Sequence, residues 1–447
     1  MDLRPYQQED VEFLSKLNRS GCFNQQRTGK TPTALKTFEK YGCKKILIIV
    51  PTSAIYQWKE EFELWLGRPC IALVGTPKQK KELLQDWTDG LIVSYGSFKS
   101  TKTYTGLSEP IIKMKPDGVI LDEAHRIKDQ KSAAAKAAFS CRKIPYRIAL
   151  TGTPAPNKPH EIFSILAWLE PETYTSYWSF IDDYFIKERK ILADGRSFIN
   201  IGSFQKGRET ILQTILSKIS TQRKRKEVMP WLREKEYQKI KLPATKEQIK
   251  YLHELNTYFE TENIITQGIL DRLIRERQIC LHPKILGLKG RSPKVDWIKD
   301  YLSDYPDKPI LIYSKSTKFI KILEKELHSK KHGVIIGSTS IKERASLIRS
   351  FQEGTLNLLI VNIDAGKEAI TLDRAEIMIF TDKYPPVGDI QQAEDRGVAT
   401  TQDRAKKPYV IIELMLKDTY DEQLYQHLAK LETQTDLIND YMKYLRR

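Results

Sequence analysis

Two adjacent carboxylates, Asp122 and Glu123, and the nearby His125 stand directly behind the apolar run Val119-Ile120-Leu121, and Leu150-Thr151-Gly152-Thr153-Pro154 follows further along. An acidic pair at the end of a buried strand suits one carboxylate to holding Mg²⁺ and its neighbour to polarising a water. Phosphoryl transfer to water needs that division of labour. A phosphate loop should then lie upstream, and Gly29-Lys30-Thr31 supplies it. Lys30 is a point charge for β and γ phosphates, and Thr31 is a hydroxyl ligand for Mg²⁺.

Short buried strands must present these residues. Apolar, β-branched runs recur at Ile46 to Val50, Leu91 to Ser94, Val119 to Leu121 and Arg147 to Leu150. A second set lies at Ile310 to Tyr313, Val334 to Ile336, Leu358 to Val361, Ile377 to Phe380 and Val410 to Leu414. Runs apolar on both faces, separated by amphipathic stretches, are expected to be parallel strands covered by helices. Between the two sets, over residues 160 to 290, aromatic, charged and leucine residues fall at helical spacing. The expected fold class is α/β, two tandem parallel-sheet domains with a helical insertion between them. The expected boundaries are 1–225 and 226–447, the second domain opening with a helical segment over 226–290.

A chain of 447 residues exceeds the usual size of one hydrophobic core, in keeping with two domains. Its net charge of +16, spread along the sequence, favours polyanions, and nucleic acid is the first candidate partner. The five cysteines form no C-x-x-C pair, so zinc and disulfides are not expected. No apolar stretch is long enough to span a membrane, and the first residues have no signal-peptide core. The expectation is a cytoplasmic protein, or one in the DNA-containing compartment of its cell, neither secreted nor membrane-bound. The four adjacent cations Arg223 to Lys226 fit either a solvated face, phosphate contact or bracing.

The ordered motifs resemble the SNF2-like family of superfamily 2 ATPases, the double-stranded-DNA translocases related to helicases, over nearly the whole chain. Leu3-Arg4-Pro5-Tyr6-Gln7 resembles that family's adenine-recognition motif, and Gln25 to Thr31 its Walker A segment. Asp122-Glu123-Ala124-His125-Arg126-Ile127-Lys128-Asp129 is closer to the SNF2 form than to the general DEAH box. Val50-Pro51-Thr52-Ser53 with Gln57-Trp58, and Ser94-Tyr95, resemble DNA-gripping motifs. Thr151 to Pro154 with Asn157, Gln278 to Pro283, Ile312 to Lys315, Gly337 to Thr339, Ala365 to Ala369 and Gln392 to Arg396 follow in family order.

The resemblance implies two RecA-like lobes that use ATP and Mg²⁺ on duplex or branched DNA without sequence preference, as a monomer. It implies a nucleotide site made by Arg4, Gln7, Thr28, Gly29, Lys30 and Thr31, with Mg²⁺ on Thr31 and Asp122. Glu123 would orient the attacking water and Arg396 would reach the γ phosphate, while His125, Thr151 and Thr153 couple turnover to movement. Thr52, Ser53, Gln57, Ser94, Tyr95, Ser314, Lys315, Gly337 and Ser338 are implied to meet DNA. Trp58, Trp65 and Trp168 are expected in packed positions and not as base-stacking platforms.

The pattern breaks at four places. Asn24 and Arg27 stand where related loops carry glycine, which serves where positive φ or close phosphate approach excludes a Cβ. Ala369 replaces a usual glycine, and Ala399 stands where a second arginine would complete the last motif, with Arg404 as a possible substitute. Two alternatives therefore stay open beside the translocase: a strand-separating helicase on DNA or RNA, and a module that binds ATP and DNA but hydrolyses poorly.

Overall fold

The computed structural model describes residues 2–155, 158–191, 197–231, 235–258, 260–261, 264–266, 268–328, 330–366, 372–383, 387–397 and 409–427. The chain divides into two units after Pro230.

The first unit holds β1 (Arg19–Cys22), β2 (Ile46–Val50), β3 (Cys70–Ala72), β4 (Gly90–Ser94), β5 (Gly118–Leu121), β6 (Tyr146–Leu150), β7 (Phe185–Ile191), β8 (Ser197–Phe204) and β9 (Ser220–Thr221). Seven of these form one sheet in the order β3-β4-β2-β5-β6-β1-β9, every pairing parallel. All five residues of β2 are buried, so both faces are covered. A fully buried Ile, Leu or Val side chain stabilises by about 1.5–3 kcal/mol, so these runs cannot be left facing water. The helices α1 (Pro5–Leu14), α2 (Lys30–Lys40) and α3 (Ile55–Leu66) belong to this unit.

The second unit holds β10 (Lys235–Leu242), the short antiparallel pair β11 (Glu260–Thr261) and β12 (Ile264–Ile265), then β13 (Ile310–Ser314), β14 (Gly333–Ile335), β15 (Leu358–Asn362), β16 (Ile377–Phe380) and β17 (Tyr409–Leu416). Six form a parallel sheet in the order β10-β17-β16-β13-β15-β14. Its two faces carry separate apolar cores, one centred on Leu311, Leu359 and Phe380, the other on Ile312, Ile360 and Phe319.

The two-sheet α/β reading matches this architecture, and the expected strands lie within one or two residues of those observed. The stretch between the sheets contains the expected helices, among them Phe163–Leu169, Arg208–Ile219, Lys246–Tyr258 and Ile269–Leu281. It is not wholly helical. β7 and β8 make an antiparallel hairpin that carries the half-exposed Ile186 and Ile199, although no hairpin was read from the sequence. β10, inside the segment expected to be helical, is the edge strand of the second sheet. Its Lys-Glu-Tyr-Gln-Lys-Ile-Lys-Leu sequence is largely exposed and has no β-branched run, so parallel pairing to β17 and not local propensity makes it a strand. Among the described residues, no helix is long and apolar enough to cross a membrane.

Candidate active site on the first sheet

In an open parallel α/β sheet, ligands collect beyond the carboxyl ends of the strands. The first unit follows that rule. Gly29-Lys30-Thr31 follows β1, Thr52 follows β2, Tyr95 follows β4, Asp122-Glu123 follows β5 and Thr151 follows β6.

The phosphate loop runs from Phe23 to Gly29, where α2 begins. Gly29 has φ +74°, and a Cβ there would lie 2.0 Å from Gln7 Nε2, so conformation and space both demand glycine. Gln7 Nε2 donates to the Thr28 carbonyl at 3.1 Å, and the Tyr6 hydroxyl donates to the same oxygen at 2.8 Å. Gln7 Oε1 accepts from the Arg4 amide at 2.8 Å. Both ends of the Gln7 amide are thus engaged within the chain, and the expected adenine reader also fastens α1 to the loop. Arg4 lies beside the Tyr6 phenol. Thr28 is buried, its hydroxyl donating to the Gln25 carbonyl at 2.8 Å, so its main-chain amide and not its side chain is the group left to face a phosphate. Lys30 Nζ donates to the Asn24 and Gln25 carbonyls at 3.1 and 3.3 Å, the neighbourhood of the phosphates it is expected to serve.

The loop's departure at Asn24 has a structural reason. Positive φ falls at Arg27 (+65°) and Gly29, and not at Asn24, contrary to the backbone demand expected there. Asn24 is buried. Its Nδ2 donates to Asp10 Oδ2 at 2.7 Å, and its Oδ1 accepts from the Arg223 amide at 2.9 Å. Arg223 Nε donates to Asp10 Oδ1 at 2.9 Å, the Gln25 amide donates to the Arg223 carbonyl at 3.0 Å, and the Arg225 amide donates to Gln25 Oε1 at 2.8 Å. The cationic run therefore begins as a brace alongside the phosphate loop, an extension of the β1–β9 pairing. Burial raises the Asp10 pKa, while the bonds from Asn24 and Arg223 pull it down.

The acidic pair sits at the sheet's centre. Burial, with the Glu123 charge next, raises the Asp122 pKa above the ordinary carboxylate range; the Trp58 hydrogen bond and the Lys30 charge oppose it. Asp122 Oδ1 accepts from the Glu123 amide at 3.0 Å, and Oδ2 accepts from Trp58 Nε1 at 2.8 Å. Glu123 occupies the left-handed region (φ +48°), a strained conformation for a residue with a side chain. Its Oε2 lies 3.2 Å from His125 Nδ1, which in turn lies 3.1 Å from Thr151 Oγ1. Thr151 Oγ1 also accepts from the Thr153 amide at 3.1 Å. The turn packs on the phosphate loop, for a Cβ on Gly152 would come within 3.3 Å of the Gln26 amide nitrogen. The expected coupling residues His125, Thr151 and Thr153 are thus joined to Glu123. Asp122 and Thr31 supply a carboxylate and a hydroxyl, hard oxygen donors that suit Mg²⁺ when phosphate and water complete its shell.

The expected DNA contacts separate into two groups. Thr52, Gln57, Gly337 and Ser338 are exposed, and Ser53 lies in the turn after β2. Ser94, Tyr95 and Ser314 are buried, their side chains bonded within the chain. Ser94 Oγ donates to Ser97 Oγ at 3.1 Å and accepts from the Ser97 amide, Tyr95 OH donates to the Asp122 carbonyl at 2.8 Å, and Ser314 Oγ donates to Asp382 Oδ1 at 2.7 Å. Ser94 and Ser314 complete β4 and β13, where the last residue is covered by its own sheet, and Tyr95 opens the helical turn after β4. Lys315, one residue on from Ser314, is half-buried, with Nζ 3.6 Å from Asp364 Oδ1. Sequence reasoning missed Trp58, Tyr95 and Arg223 as partners of the acidic pair and the loop, because each contact spans a long stretch of chain.

In the second unit Arg396 closes the helix Val387–Arg396. Gly397 is required next, since a Cβ would lie 1.9 Å from the Tyr409 hydroxyl. The helix is held by Glu394, which accepts from Lys383 at 2.8 Å, Lys235 at 3.0 Å and Tyr237 at 2.8 Å, while Lys383 also donates to Glu413 at 2.5 Å. Asn157, Lys367, Glu368, Ala369, Ala399 and Arg404 lie outside the described residues.

The chain is similar to several known proteins. The chain is 25% identical to the human DNA annealing helicase and endonuclease ZRANB3 over 88% of its own length and 37% of that protein. It is 25% identical to the Schizosaccharomyces pombe SWI/SNF chromatin-remodeling complex subunit snf22 over 97% of its own length and 28% of that protein. The chain thus spans about a third of the length of these curated relatives. The solved Sulfolobus solfataricus SWI2/SNF2 ATPase core in complex with dsDNA aligns at 24% identity over 96% of this chain and 91% of that one, with a TM-score of 0.45. The SNF2-related domain model matches residues 6–285 and the helicase conserved C-terminal domain model residues 293–398, and the chain belongs to the SNF2-related family.

Proposed function

We propose that this chain is an ATP-hydrolysing motor that moves along duplex or branched DNA and reads the phosphate backbone. One observation carries the reading: the phosphate loop, the acidic pair and a histidine joining that pair to the Thr151 turn all lie beyond the carboxyl ends of neighbouring strands of a single sheet.

In the proposed cycle, Lys30 exchanges the Asn24 and Gln25 carbonyls for the β and γ phosphates of ATP. The main-chain amides at the start of α2 face the same phosphates, where the helix dipole favours negative charge. Thr31 and Asp122 would hold Mg²⁺, which when bound supplies positive charge to the phosphates. Glu123 takes a proton from the attacking water, oriented by His125. Arg396 is assigned to the charge that builds on the transferred phosphoryl group. Through His125, a change at Glu123 reaches Thr151 and the Thr153 amide, and movement on DNA is assigned to this relay. Thr52, Ser53, Gln57, Lys315, Gly337 and Ser338 are the proposed backbone contacts. The motor is proposed to act as a monomer wherever the cell's DNA lies.

The net charge of +16 supports a phosphate-tracking partner. Such binding loses affinity linearly in a plot of log Kd against log salt. The test is ATP hydrolysis without nucleic acid and then with single-stranded, duplex, forked and four-way-junction DNA and with RNA. Stimulation by duplex or branched DNA is expected. Stimulation by single strands or RNA alone would replace the reading with a strand-separating helicase, and binding without turnover would replace it with a passive ATP- and DNA-binding module.

A further inference from the structure

We infer that Trp58 and Tyr95 are positioning residues that hold Asp122 ready for Mg²⁺, and that through Trp58 the segment after β2, where DNA is proposed to bind, controls metal uptake. The inference rests on the proposed assignment of Asp122 to Mg²⁺ and adds to it a route by which DNA reaches the site.

The geometry fixes Asp122 from both sides. Trp58, 3% exposed, donates Nε1–H to Asp122 Oδ2 at 2.8 Å, and Tyr95, 6% exposed, donates its hydroxyl to the Asp122 carbonyl at 2.8 Å. An indole N–H only donates, so it cannot compete for a cation. Each carboxylate oxygen has about two acceptor positions, and here each accepts one donor, Oδ1 from the Glu123 amide and Oδ2 from Trp58. Each oxygen therefore keeps a lone pair for a metal or its water, with the carboxylate plane already set. Groups of this kind behind a metal ligand commonly change metal affinity by about 10–100-fold.

The segment after β2 also faces outward. Trp58 directly follows the exposed Gln57 on α3, whose entry turn carries the exposed Thr52. Tyr95 begins the helical turn Tyr95–Phe98 at the end of β4. The segment after β2 thus joins a buried donor on Asp122 to positions at the strand end where a DNA backbone is proposed to bind, while Tyr95 fixes the Asp122 main chain from beneath the sheet end. DNA that orders this segment orders the Trp58 donor, and tighter uptake of Mg²⁺ with nucleotide follows. Linkage requires Mg²⁺-nucleotide to tighten DNA binding by the same factor.

The test uses the whole chain and binding, not turnover. A fluorescent, non-hydrolysable ATP analogue is titrated in EDTA and then at increasing Mg²⁺, with and without a saturating duplex. In Trp58→Phe the Mg²⁺ needed for half-maximal binding is expected to rise about 10–100-fold with the EDTA affinity unchanged. Tyr95→Phe, which removes a single oxygen, is expected to move it in the same direction by less, and in Trp58→Phe the duplex should lower the Mg²⁺ requirement less than in the parent. A merely structural role would weaken binding equally in EDTA. Parental Mg²⁺ dependence in both variants, or no effect of duplex on the parent, would overturn the inference. Asp122→Asn separates the two levels: if it too keeps the parental Mg²⁺ dependence, the assignment of the metal to Asp122 has failed, and not only the role of its supports.

Discussion

His125 Nδ1 stands 3.1 Å from Thr151 Oγ1, while the same nitrogen lies 3.2 Å from Glu123 Oε2. One ring atom therefore serves both the proposed base and the turn after β6, and it cannot bond fully to both at once. If this sharing couples chemistry to motion, His125→Ala should retain nucleotide and DNA binding. Its duplex-stimulated kcat should fall on the order of tenfold, about 1.4 kcal/mol in activation free energy. The distance moved per ATP should fall with it. Displacement of a triplex-forming strand, measured beside hydrolysis, checks this; an unchanged ratio of displacement to hydrolysis would remove the coupling role.

The phosphate loop should resist conversion to the family's usual sequence. Asn24→Gly supplies a glycine where φ is not positive and removes two hydrogen bonds from a buried site, one of them to Asp10. Leaving a buried group unsatisfied costs about 1–3 kcal/mol, so the variant should have a lower Tm and weaker nucleotide binding. A variant at least as stable as the parent would contradict the bracing role of Asn24.

Arg223→Ala attacks the same brace from outside. Loss of one partner from a buried ion pair costs about 3–5 kcal/mol, but Arg223 is a third exposed, so about 2 kcal/mol is expected. Urea unfolding measures that loss, and nucleotide affinity should fall because the Asn24–Gln25 segment loses its support. Lys224→Ala, one residue on and largely exposed, is the control and should change neither.

How far this was legible from sequence depended on whether the signal was local. β2 and β16 were read to their ends because Ile-Leu-Ile-Ile-Val and Ile-Met-Ile-Phe must be buried on both faces. The acidic pair, the phosphate lysine and the Thr151 turn were legible because their chemistry lies within a few adjacent residues. β1, Arg-Ser-Gly-Cys, has no strand propensity and exists because β6 and β9 pair with it on either side. Trp58, Tyr95 and Arg223 reach Asp122 and Asp10 across 64, 27 and 213 positions, a separation that only the folded sheet closes. The burial of the Ser94 and Ser314 side chains was not legible for a related reason, since proximity to a site along the chain does not say which side chain the sheet covers.

The second unit should be acid-sensitive. Burial would raise the Glu394 pKa, but Lys383 and Lys235 outweigh it and hold the carboxyl below its ordinary value. A depressed carboxyl contributes its full stability above the unfolded pKa, about 4.3, and loses it as pH falls through the lower folded value. Thermal unfolding should therefore show a loss of stability below about pH 4.3. In Lys383→Met, Glu394 and Glu413 face each other without the cation between them, and a loss of about 3–5 kcal/mol at neutral pH is expected. Because Glu394 lies two residues before Arg396 on the helix Val387–Arg396, hydrolysis should fall as well.

Whether Glu123 activates water for DNA-stimulated ATP hydrolysis is decided by steady-state hydrolysis with duplex DNA in the parent, Glu123→Gln and Lys30→Ala, each paired with ATP-analogue binding. Strong stimulation by duplex is expected in the parent. Glu123→Gln should bind the analogue normally while losing at least about 100-fold in kcat, since only a transition-state role is removed. Lys30→Ala should lose binding itself. Hydrolysis by Glu123→Gln at the parental rate would contradict the account.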